Sequence, residues 1–264
     1  MGTSSDVPAL RRGLAVLQLL AGRAGPISAT AIARELGLPR STTYHLLAEL
    51  ETARFVTRLP AERRYGLGIA AFELGSAYLR HDPLERLAHP LLRSLVERVG
   101  HTAHLGVLHG NELLYLIKEQ PARPETLVTG VGVRLPAHLT ASGRAILAHL
   151  PAAQIRALFP SASAFVRRTD RGPVTLAALR TTLATDRRRG WACEDGHVTS
   201  GFASVAYPVF DHNHRPIAAI SVTFRHHCAA TPCSADWTPL ATQVRATATT
   251  LTHHIGGLPD ENGR

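Results

Sequence analysis

Five side chains that donate or accept hydrogen bonds share a six-residue segment near the N-terminus: Arg40, Ser41, Thr42, Tyr44 and His45. At the 3.6-residue period of an α-helix, the same segment places apolar or small residues on one buried stripe, namely Thr43, Leu46, Leu47 and Leu50. The polar group then lies on the opposite face of the first two turns. Such a face can hydrogen-bond to base edges in the major groove of DNA.

A shorter helix is predicted just upstream, with a stripe of Ala29, Ile32, Ala33 and Leu36. Ser28 lies at its N-cap position, and we also count Ser28 among the residues expected to contact DNA. Gly37-Leu38-Pro39 ends this helix, because Gly favours the turn and Pro excludes further helix. The two helices together predict a helix-turn-helix. The alternative is a helical hairpin with no role in nucleic-acid binding.

A basic hairpin follows the second helix. Phe55–Arg58 and Arg64–Leu67 are predicted strands around a five-residue turn, and Arg58, Arg63 and Arg64 lie where a wing would contact phosphates. Upstream, a helical stripe can complete a three-helix core; its members are Leu10, Gly13, Leu14, Leu17, Leu20 and Ala21. We therefore predict a winged helix-turn-helix over residues 8–68, after a disordered N-terminus at residues 1–7.

Residues 69–82 are predicted to form a linker helix that ends at His81-Asp82-Pro83. A longer amphipathic helix should follow, with Pro90 as a kink or restart. Phe72, Leu74 and Tyr78 are candidates for contacts between subunits, although Tyr78 could equally pack on the next domain. A dimer is also expected because one winged domain contacts too little DNA for tight specific binding.

Residues 83–256 alternate predicted strands and helices, which indicates an α+β domain around one central sheet; residues 257–264 are a predicted tail. The expected strands are 102–108, 112–117, 125–129, 191–193, 204–210 and 217–224. The expected helices are 140–150, 174–189 and a closing helix through Leu240 and Ile255.

A ligand pocket is predicted where strand ends and loops meet. Ala141, Ser142 and Gly143 begin a helix whose free N–H groups could hold a carboxylate. Hydroxyls would come from Ser204, Ser221 and Thr223, and apolar walls from Leu127 and Phe202. The alternative is that Ser221 and Thr223 only hydrogen-bond to neighbouring backbone.

Composition limits the possible classes of protein. The 264 residues suffice for two domains. The net charge of +9 agrees with a nucleic-acid partner. Lys118 is the only lysine, however, and GC-rich coding also produces an Arg-rich chain, so the charge alone is weak evidence. With no apolar run near 18 residues and no secretory signal, no membrane association is expected. Three cysteines form no disulfide framework, which fits the cytoplasm.

Enzymatic and metal sites find little support in the sequence. It contains no nucleophile elbow, no P-loop and no dinucleotide-binding glycine motif, so we expect no enzyme activity and no cofactor. A zinc site at His226, His227, Cys228 and Cys233 stays open, because the spacing is only weak evidence for converging ligands. A catalytic or metal-dependent domain with a DNA anchor, and an architectural DNA binder without a ligand, are the rival classes.

Several segments together resemble the IclR-type (isocitrate-lyase-regulator-type) transcriptional regulators, from about Ala9 to about Ile255. They include ISATAIARELGLPRSTTYHLLAELETARFV, LPAHLTASGRAILAHLP and GWACEDGHVTSGFASVAYPVF. The resemblance implies a winged helix-turn-helix joined by a linker helix to an α/β domain similar to GAF domains. That domain, residues 83–256, would bind the effector and mediate oligomerisation, and the protein would work as a homodimer or a dimer of dimers.

The resemblance also implies functional residues. The effector pocket of the family is lined at the positions named above and at that of Glu194, where a family member carries Asp; Ser204 matches a Cys. His45 stands where Arg is usual, which implies a weaker DNA contact. The implied function is a regulator, repressor in preference to activator, that binds a palindromic operator under the control of a small carboxylate or aromatic acid.

Overall fold

Short helices and a small sheet form the N-terminal part of the computed structural model, which describes residues 7–23, 25–81, 83–227 and 236–258. The elements are α1 (Pro8–Ala21), β1 (Ile27–Ser28), α2 (Ala29–Glu35), α3 (Arg40–Thr52), β2 (Val56–Leu59), β3 (Arg64–Leu67) and α4 (Ile69–His81). The strands pair antiparallel in the order β1-β3-β2. The predicted helix-turn-helix and the hairpin that follows it are therefore confirmed.

The turn between α2 and α3 has the expected chemistry. Gly37 adopts a left-handed conformation with φ 62°, and Pro39 precedes α3 as its N-cap. The Leu38 N–H donates to the Ala33 carbonyl at 2.9 Å, which closes the end of α2. The two helices thus leave the turn in different directions and share one core.

That core is built from α1, α2, α3 and the hairpin. Ile32, Leu47, Val56 and Tyr65 are buried in it. The stripe predicted for α1 was partly wrong. Leu10 and Leu14 are exposed, whereas α1 buries Gly13, Val16 and Leu20 against α3 and β3. The buried stripe is rotated from the predicted one because only one narrow side of α1 faces its neighbours.

The chain divides into two compact units between residue 82 and Pro83. The second contains α5 (Pro83–Val99), β4 (Thr102–His109), β5 (Glu112–Glu119), β6 (Arg134–Pro136), α6 (Ala141–Leu147), α7 (Ala152–Leu158), α8 (Leu176–Arg189), β7 (Ala192–Asp195), β8 (Phe202–Phe210), β9 (Pro216–Arg225) and α9 (Thr238–His254). Helix α5 continues through Pro90. Leu258, in the predicted tail, donates its N–H to the Asp211 carbonyl.

One antiparallel sheet organises this unit, in the order β6-β5-β4-β9-β8-β7. Because side chains alternate along a strand, each face has its own core. Val205, Ile220 and Leu105 pack with α5 and α9 on one face. Ala206 and Ala219 pack with α6 on the other face. The predicted α+β class is confirmed.

The strand predicted at residues 125–129 was wrong. This segment has no regular structure, and the sheet is extended by β6, at Arg134–Pro136. Helix α7 was not predicted. Pro121 and Pro124 precede the irregular segment, and neither can donate a ladder hydrogen bond, which disfavours a regular strand there. The irregular backbone instead becomes one wall of a pocket.

Candidate nucleic-acid interface and ligand pocket

The outer face of α3 is free of contacts that would bury it within its own unit. Thr43 and Leu47 are buried on the inner side, and the Thr43 hydroxyl donates to the Pro39 carbonyl at 3.1 Å. Arg40, Ser41, Tyr44 and His45 are exposed, with Tyr44 at 52% of its full accessible area. Thr42 is half-buried. The predicted polar group is therefore presented on one helix surface.

The hairpin adds positive charge beside that surface within the same unit. Arg58 lies in β2, Arg64 in β3, and Arg63 in the turn between them, with φ 52°. All three side chains are exposed. Backbone pairing of β2 with β3 fixes the arginines on a short, rigid projection, which is the arrangement by which a wing contacts phosphates.

Ser28 has a structural role that its exposure alone would not show. Its hydroxyl accepts a hydrogen bond from the Ala31 N–H at 3.2 Å and so caps α2. The residue is half-buried and also pairs with Arg64 in the small sheet. Its hydroxyl is thus committed to α2, and the DNA contact expected of Ser28 stays a prediction.

In the second unit, a cleft of about 440 Å³, part of it open to solvent, lies on the sheet face that packs with α6. Eight of the nine residues predicted for the pocket line it: Leu127, Ala141, Ser142, Glu194, Phe202, Ser204, Ser221 and Thr223. Six further residues join them: Tyr115, Val128, Thr129, Thr140, Val198 and Thr199. The structure thus gathers residues that are up to 108 positions apart in the chain.

Gly143 is not part of this lining. A Cβ atom at this position would lie 2.3 Å from the Ala137 carbonyl oxygen and 2.5 Å from the Ala137 Cα. The glycine therefore allows α6 to pack closely against residue 137. Helix α6 has only seven residues, and the Thr140 hydroxyl already accepts the Gly143 N–H at 3.0 Å. The free N–H groups expected here are therefore fewer than predicted.

Hydroxyl groups and one carboxyl group form the floor of the pocket. The Ser204 hydroxyl donates to Glu194 Oε1 at 2.9 Å and lies 3.0 Å from the Thr223 hydroxyl. Strand register explains the contact, since Ser204 pairs with Glu194 on one side and with Thr223 on the other. The second oxygen of Glu194 accepts the His197 N–H at 3.0 Å. The Thr223 hydroxyl thus bonds to the Ser204 side chain and not only to neighbouring backbone, whereas the roles expected of Ser221 and Thr223 in the pocket stay predictions.

Burial shifts the pKa values of residues in and beside the floor of the pocket. It raises the pKa of Glu194 to about 7, although hydrogen bonds from Ser204 and His197 partly oppose the shift. It lowers the pKa of His104 to about 3, with a further contribution from the charge of Lys118. It also raises the pKa of the Tyr115 phenol, next to which the His104 ring lies at a centroid distance of 5.0 Å.

The irregular segment before β6 is held by two side chains of the sheet. Lys118 Nζ donates to the Thr129 carbonyl at 2.7 Å, and the Thr129 hydroxyl hydrogen-bonds to His104 Nε2 at 2.8 Å. At the other end, Glu125 forms an ion pair with Arg225 at 2.7 Å. Sequence reasoning missed Thr129 and Tyr115, because a loop contact and a strand register give no local pattern.

The described residues hold neither a metal-binding cluster nor a membrane-spanning helix. Among the described residues, no three His, Cys, Asp or Glu side chains lie close enough to share a metal ion. The His226 ring packs edge-on against Trp237, while Cys228 and Cys233 lie outside the described residues. No helix in the described part of the chain is long and apolar enough to cross a membrane.

Two protein families match this chain, one over the helix-turn-helix and one over most of the rest. The helix-turn-helix domain of IclR regulators matches residues 9–60, and the C-terminal domain of bacterial IclR transcriptional regulators matches residues 76–253. The second match alone spans well over half of the chain.

This chain belongs to the IclR family of transcriptional regulators. Among IclR regulators, the transcriptional repressor IclR of Escherichia coli K12 is 31% identical over 83% of this chain and 81% of its own length. The glycerol operon regulatory protein of Streptomyces griseus is 33% identical over 95% of this chain and 97% of its own length. The relatives that this chain matches are transcriptional regulators and not enzymes, and its helix-turn-helix domain implies DNA binding.

Solved IclR structures share the fold. An IclR homologue from Microbacterium hydrocarbonoxydans, crystallised in complex with 4-hydroxybenzoate, superimposes with a TM-score of 0.81 over 94% of this chain and 99% of its own. The two sequences are 24% identical, so this likeness concerns architecture. It agrees with the α/β domain described above.

Proposed function

We propose that this IclR regulator is a repressor that binds a palindromic operator as a homodimer or dimer of dimers, and that a small metabolite in the pocket of its second unit changes operator affinity. It would act in the cytoplasm. The domain limits that we assign are 8–68 for DNA binding, 69–82 for the linker helix and 83–256 for effector binding and oligomerisation. The proposal rests above all on an exposed reading face and a buried polar pocket in one chain.

The exposed polar face of α3 supports the DNA contacts. Arg40, Ser41, Thr42, Tyr44 and His45 would meet base edges and nearby phosphates, while Arg58, Arg63 and Arg64 would meet flanking phosphates. Ser28 would add at most a backbone or edge contact, since its hydroxyl caps α2. His45 offers fewer donors than the Arg usual at this position, so its contribution would be smaller.

Unpaired apolar surface supports the oligomer. In the first unit, Leu10 and Leu14 of α1 and Phe72 and Leu74 of α4 expose between 51% and 71% of their area. Exposed apolar patches are typical of protein interfaces. The side chain of Tyr78, a third candidate, lies outside the described residues. The two DNA-binding domains of a dimer would also bind the paired half-sites of an operator, which specific binding requires.

The pocket supports a small ligand with both apolar and polar parts. Phe202, Leu127 and Val128 form apolar walls, and Ser142, Ser204 and Ser221 offer hydroxyls. A small carboxylate or aromatic acid is the class that we propose, in line with the 4-hydroxybenzoate held by the Microbacterium homologue. Such a ligand changes operator affinity only through different affinities for the DNA-competent and DNA-incompetent arrangements.

The experiment begins with capture and sequencing of genomic fragments bound by the purified full chain, which identifies the operator. Small acids that raise the melting temperature of the protein are then tested for their effect on operator affinity by fluorescence anisotropy. Ser221→Ala should weaken the ligand response while leaving ligand-free operator affinity unchanged. Thr250→Ala removes an exposed hydroxyl of α9 and serves as the matched control.

Three results would contradict parts of the proposal. Failure to enrich any genomic site would exclude a specific operator. An operator affinity that no small molecule alters would indicate an architectural DNA binder. A normal ligand response in Ser221→Ala would show that the ligand binds elsewhere.

A further inference from the structure

The charge of the pocket conflicts with the ligand class proposed for it. Within the described part of the chain, no Lys, Arg or His side chain lines the cleft, and Glu194 is its one carboxyl group. An organic anion would therefore enter beside a buried carboxylate without a neutralising cation. Burial of an unpaired charge is strongly unfavourable in proteins. Some feature of the pocket must remove this conflict if an acid binds.

The basic groups near the cleft do not line it, and each either has another partner or is neutral. The Arg144 guanidinium lies 3.3 Å from the Asp186 carboxylate, and both side chains are buried. Lys118 donates to the Thr129 carbonyl. Burial lowers the pKa of His104 to about 3 and that of His197 to about 4, so both rings are neutral near pH 7.

Glu194 can itself remove the conflict by taking up a proton. It is only 4% exposed, and Ser204 and the His197 N–H hold its two oxygens in place. When Glu194 is ionised, the Ser204 hydroxyl must donate toward the carboxylate, and Ser204 can then only accept from Thr223. The Thr223 hydrogen then points toward the sheet, and only its lone pairs face the cleft.

Protonation reverses this chain of hydrogen bonds. A neutral Glu194 can donate to Ser204, Ser204 can donate to Thr223, and the Thr223 hydrogen is released to face the cleft. Hydroxyl groups rotate freely between the two arrangements, since the heavy atoms stay within hydrogen-bonding distance. One proton thus turns the floor from a hydrogen-bond acceptor into a hydrogen-bond donor.

Ser142 provides a second donor to the same space. Its hydroxyl is buried, with the residue 1% exposed, and has no hydrogen-bond partner among the described residues. A buried hydroxyl without a partner is unfavourable, and a ligand oxygen would relieve that cost. Ser142 and Thr223 both line this cleft.

We propose that the acid assigned to this pocket by the proposed function binds as an anion together with one proton, which resides on Glu194 and turns the Ser204–Thr223 chain to donate toward the ligand carboxylate. The inference rests on that function, but it concerns the protonation of the site. Glu194 is thereby the residue that selects between anionic and uncharged ligands.

The groups that face Glu194 leave it as the one that titrates near neutrality. Burial raises the pKa values of Cys193 on the same strand and of Tyr115 on β5, which keeps both uncharged. Arg144 on α6 is paired with Asp186. His197, in the following loop, is neutral as described. A change in ligand affinity between pH 6 and pH 8 is therefore assigned to Glu194.

The sign of the pH dependence follows from the raised pKa of Glu194, about 7. Below pH 7 the residue already holds the proton, so acid binding has its full affinity. Above pH 7 the proton must be taken up on binding, and affinity falls. For a pKa near 7, the dissociation constant of an acid should rise about tenfold from pH 6 to pH 8.

The test uses isothermal titration calorimetry on the full chain with 4-hydroxybenzoate, benzoate and pyruvate, each beside its uncharged alcohol or amide analogue. Wild type, Glu194→Gln and Asp195→Asn are compared at pH 6, 7 and 8, in two buffers with different ionisation enthalpies. Asp195 is the neighbouring carboxylate, paired with Arg171 outside the cleft lining, and is the matched control. Thermal unfolding and ligand-free operator binding establish that each variant is folded.

In wild type and Asp195→Asn, we expect acid binding to weaken about tenfold from pH 6 to pH 8. We also expect both proteins to take up nearly one proton on binding at pH 8. Glu194→Gln should bind the acid with the same affinity at all three pH values. The wild-type proton uptake decides the question by itself if Glu194→Gln fails to fold.

The inference would be overturned by acid affinity that is independent of pH, by the absence of proton uptake, or by a pH dependence that persists in a folded Glu194→Gln. Binding of the uncharged analogues alone would also overturn it, while leaving a ligand-controlled regulator intact. Failure of every probe would overturn it as well. The proposed function fails on a different result, an operator affinity that no ligand changes.

Discussion

The guanidinium of Arg144 lies 3.3 Å from the carboxylate of Asp186, and the two side chains are 2% and 3% exposed. The pair joins α6, which begins at the pocket, to the last turns of α8. Arg189 contacts the same carboxylate from α8. Burial raises the pKa of Asp186, although the two arginines oppose the shift. The position of the pocket wall therefore depends on a buried ion pair behind it.

Breaking this pair should destabilise the second unit strongly. Asp186→Asn leaves the Arg144 charge buried beside a neutral group, and removal of one member of a buried pair typically costs about 3–5 kcal/mol. The free energy of unfolding, measured by urea denaturation, should fall by that order. Asp195→Asn breaks the more exposed pair with Arg171 and should cost less than about 1 kcal/mol. Equal effects would contradict the role of burial.

The DNA face predicts a change in salt dependence as well as in affinity. Arg40→Ala should weaken operator binding and reduce the slope of log K against log salt by about 1, if Arg40 contacts a phosphate. Arg12→Ala removes an exposed charge from α1 and should leave the slope unchanged. Fluorescence anisotropy at several salt concentrations measures both. Equal slopes for the two variants would show that Arg40 does not contact a DNA phosphate.

Tyr44 tests the same face without a change in charge. Tyr44→Ala removes a half-exposed ring that makes no core contact, so thermal stability should stay within about 0.5 kcal/mol of wild type. Operator affinity should fall by about tenfold, since a good base or groove contact is worth about 1–3 kcal/mol. Unchanged affinity in a folded variant would show that α3 presents a different side to DNA.

Ser28 distinguishes a helix cap from a DNA contact. Ser28→Ala should cost about 1 kcal/mol of stability, because the Ala31 N–H loses its acceptor. Ser28→Asp restores a cap acceptor and should recover most of that stability. Its added negative charge would lower operator affinity if the residue lies near phosphates. A stable Ser28→Asp variant with normal affinity would assign Ser28 to folding alone.

Gly143 should tolerate no larger side chain. In Gly143→Ala the new methyl group would meet the Ala137 backbone, which cannot move as a flexible side chain would, so stability should fall by about 1–3 kcal/mol. Gly13→Ala in α1 has no atom within 4 Å of the new Cβ and should be neutral or stabilising. Comparison of the two melting curves checks the role assigned to close packing.

The helix-turn-helix could be predicted from the sequence because its information is local. Helical periodicity, the Gly37 turn and the Ser28 cap each depend on residues within a few positions of one another, and all appear in the structure. The α1 stripe was misjudged because Leu10 and Leu14 satisfy helical spacing equally well, and only the position of α3 and β3 decides which side is covered.

The amino-acid sequence by itself determined most of the element types and the polar outer face of α3, and with the family resemblance it indicated eight of the residues that line the pocket. Only the tertiary structure decided that residues 125–129 form a loop, that Gly143 packs behind the lining and that Thr129 and Tyr115 join it. The reason is physical. Hydrogen-bond chains such as Glu194–Ser204–Thr223, and the burial that changes their protonation, arise from strand register and loop placement, which join residues far apart in the chain.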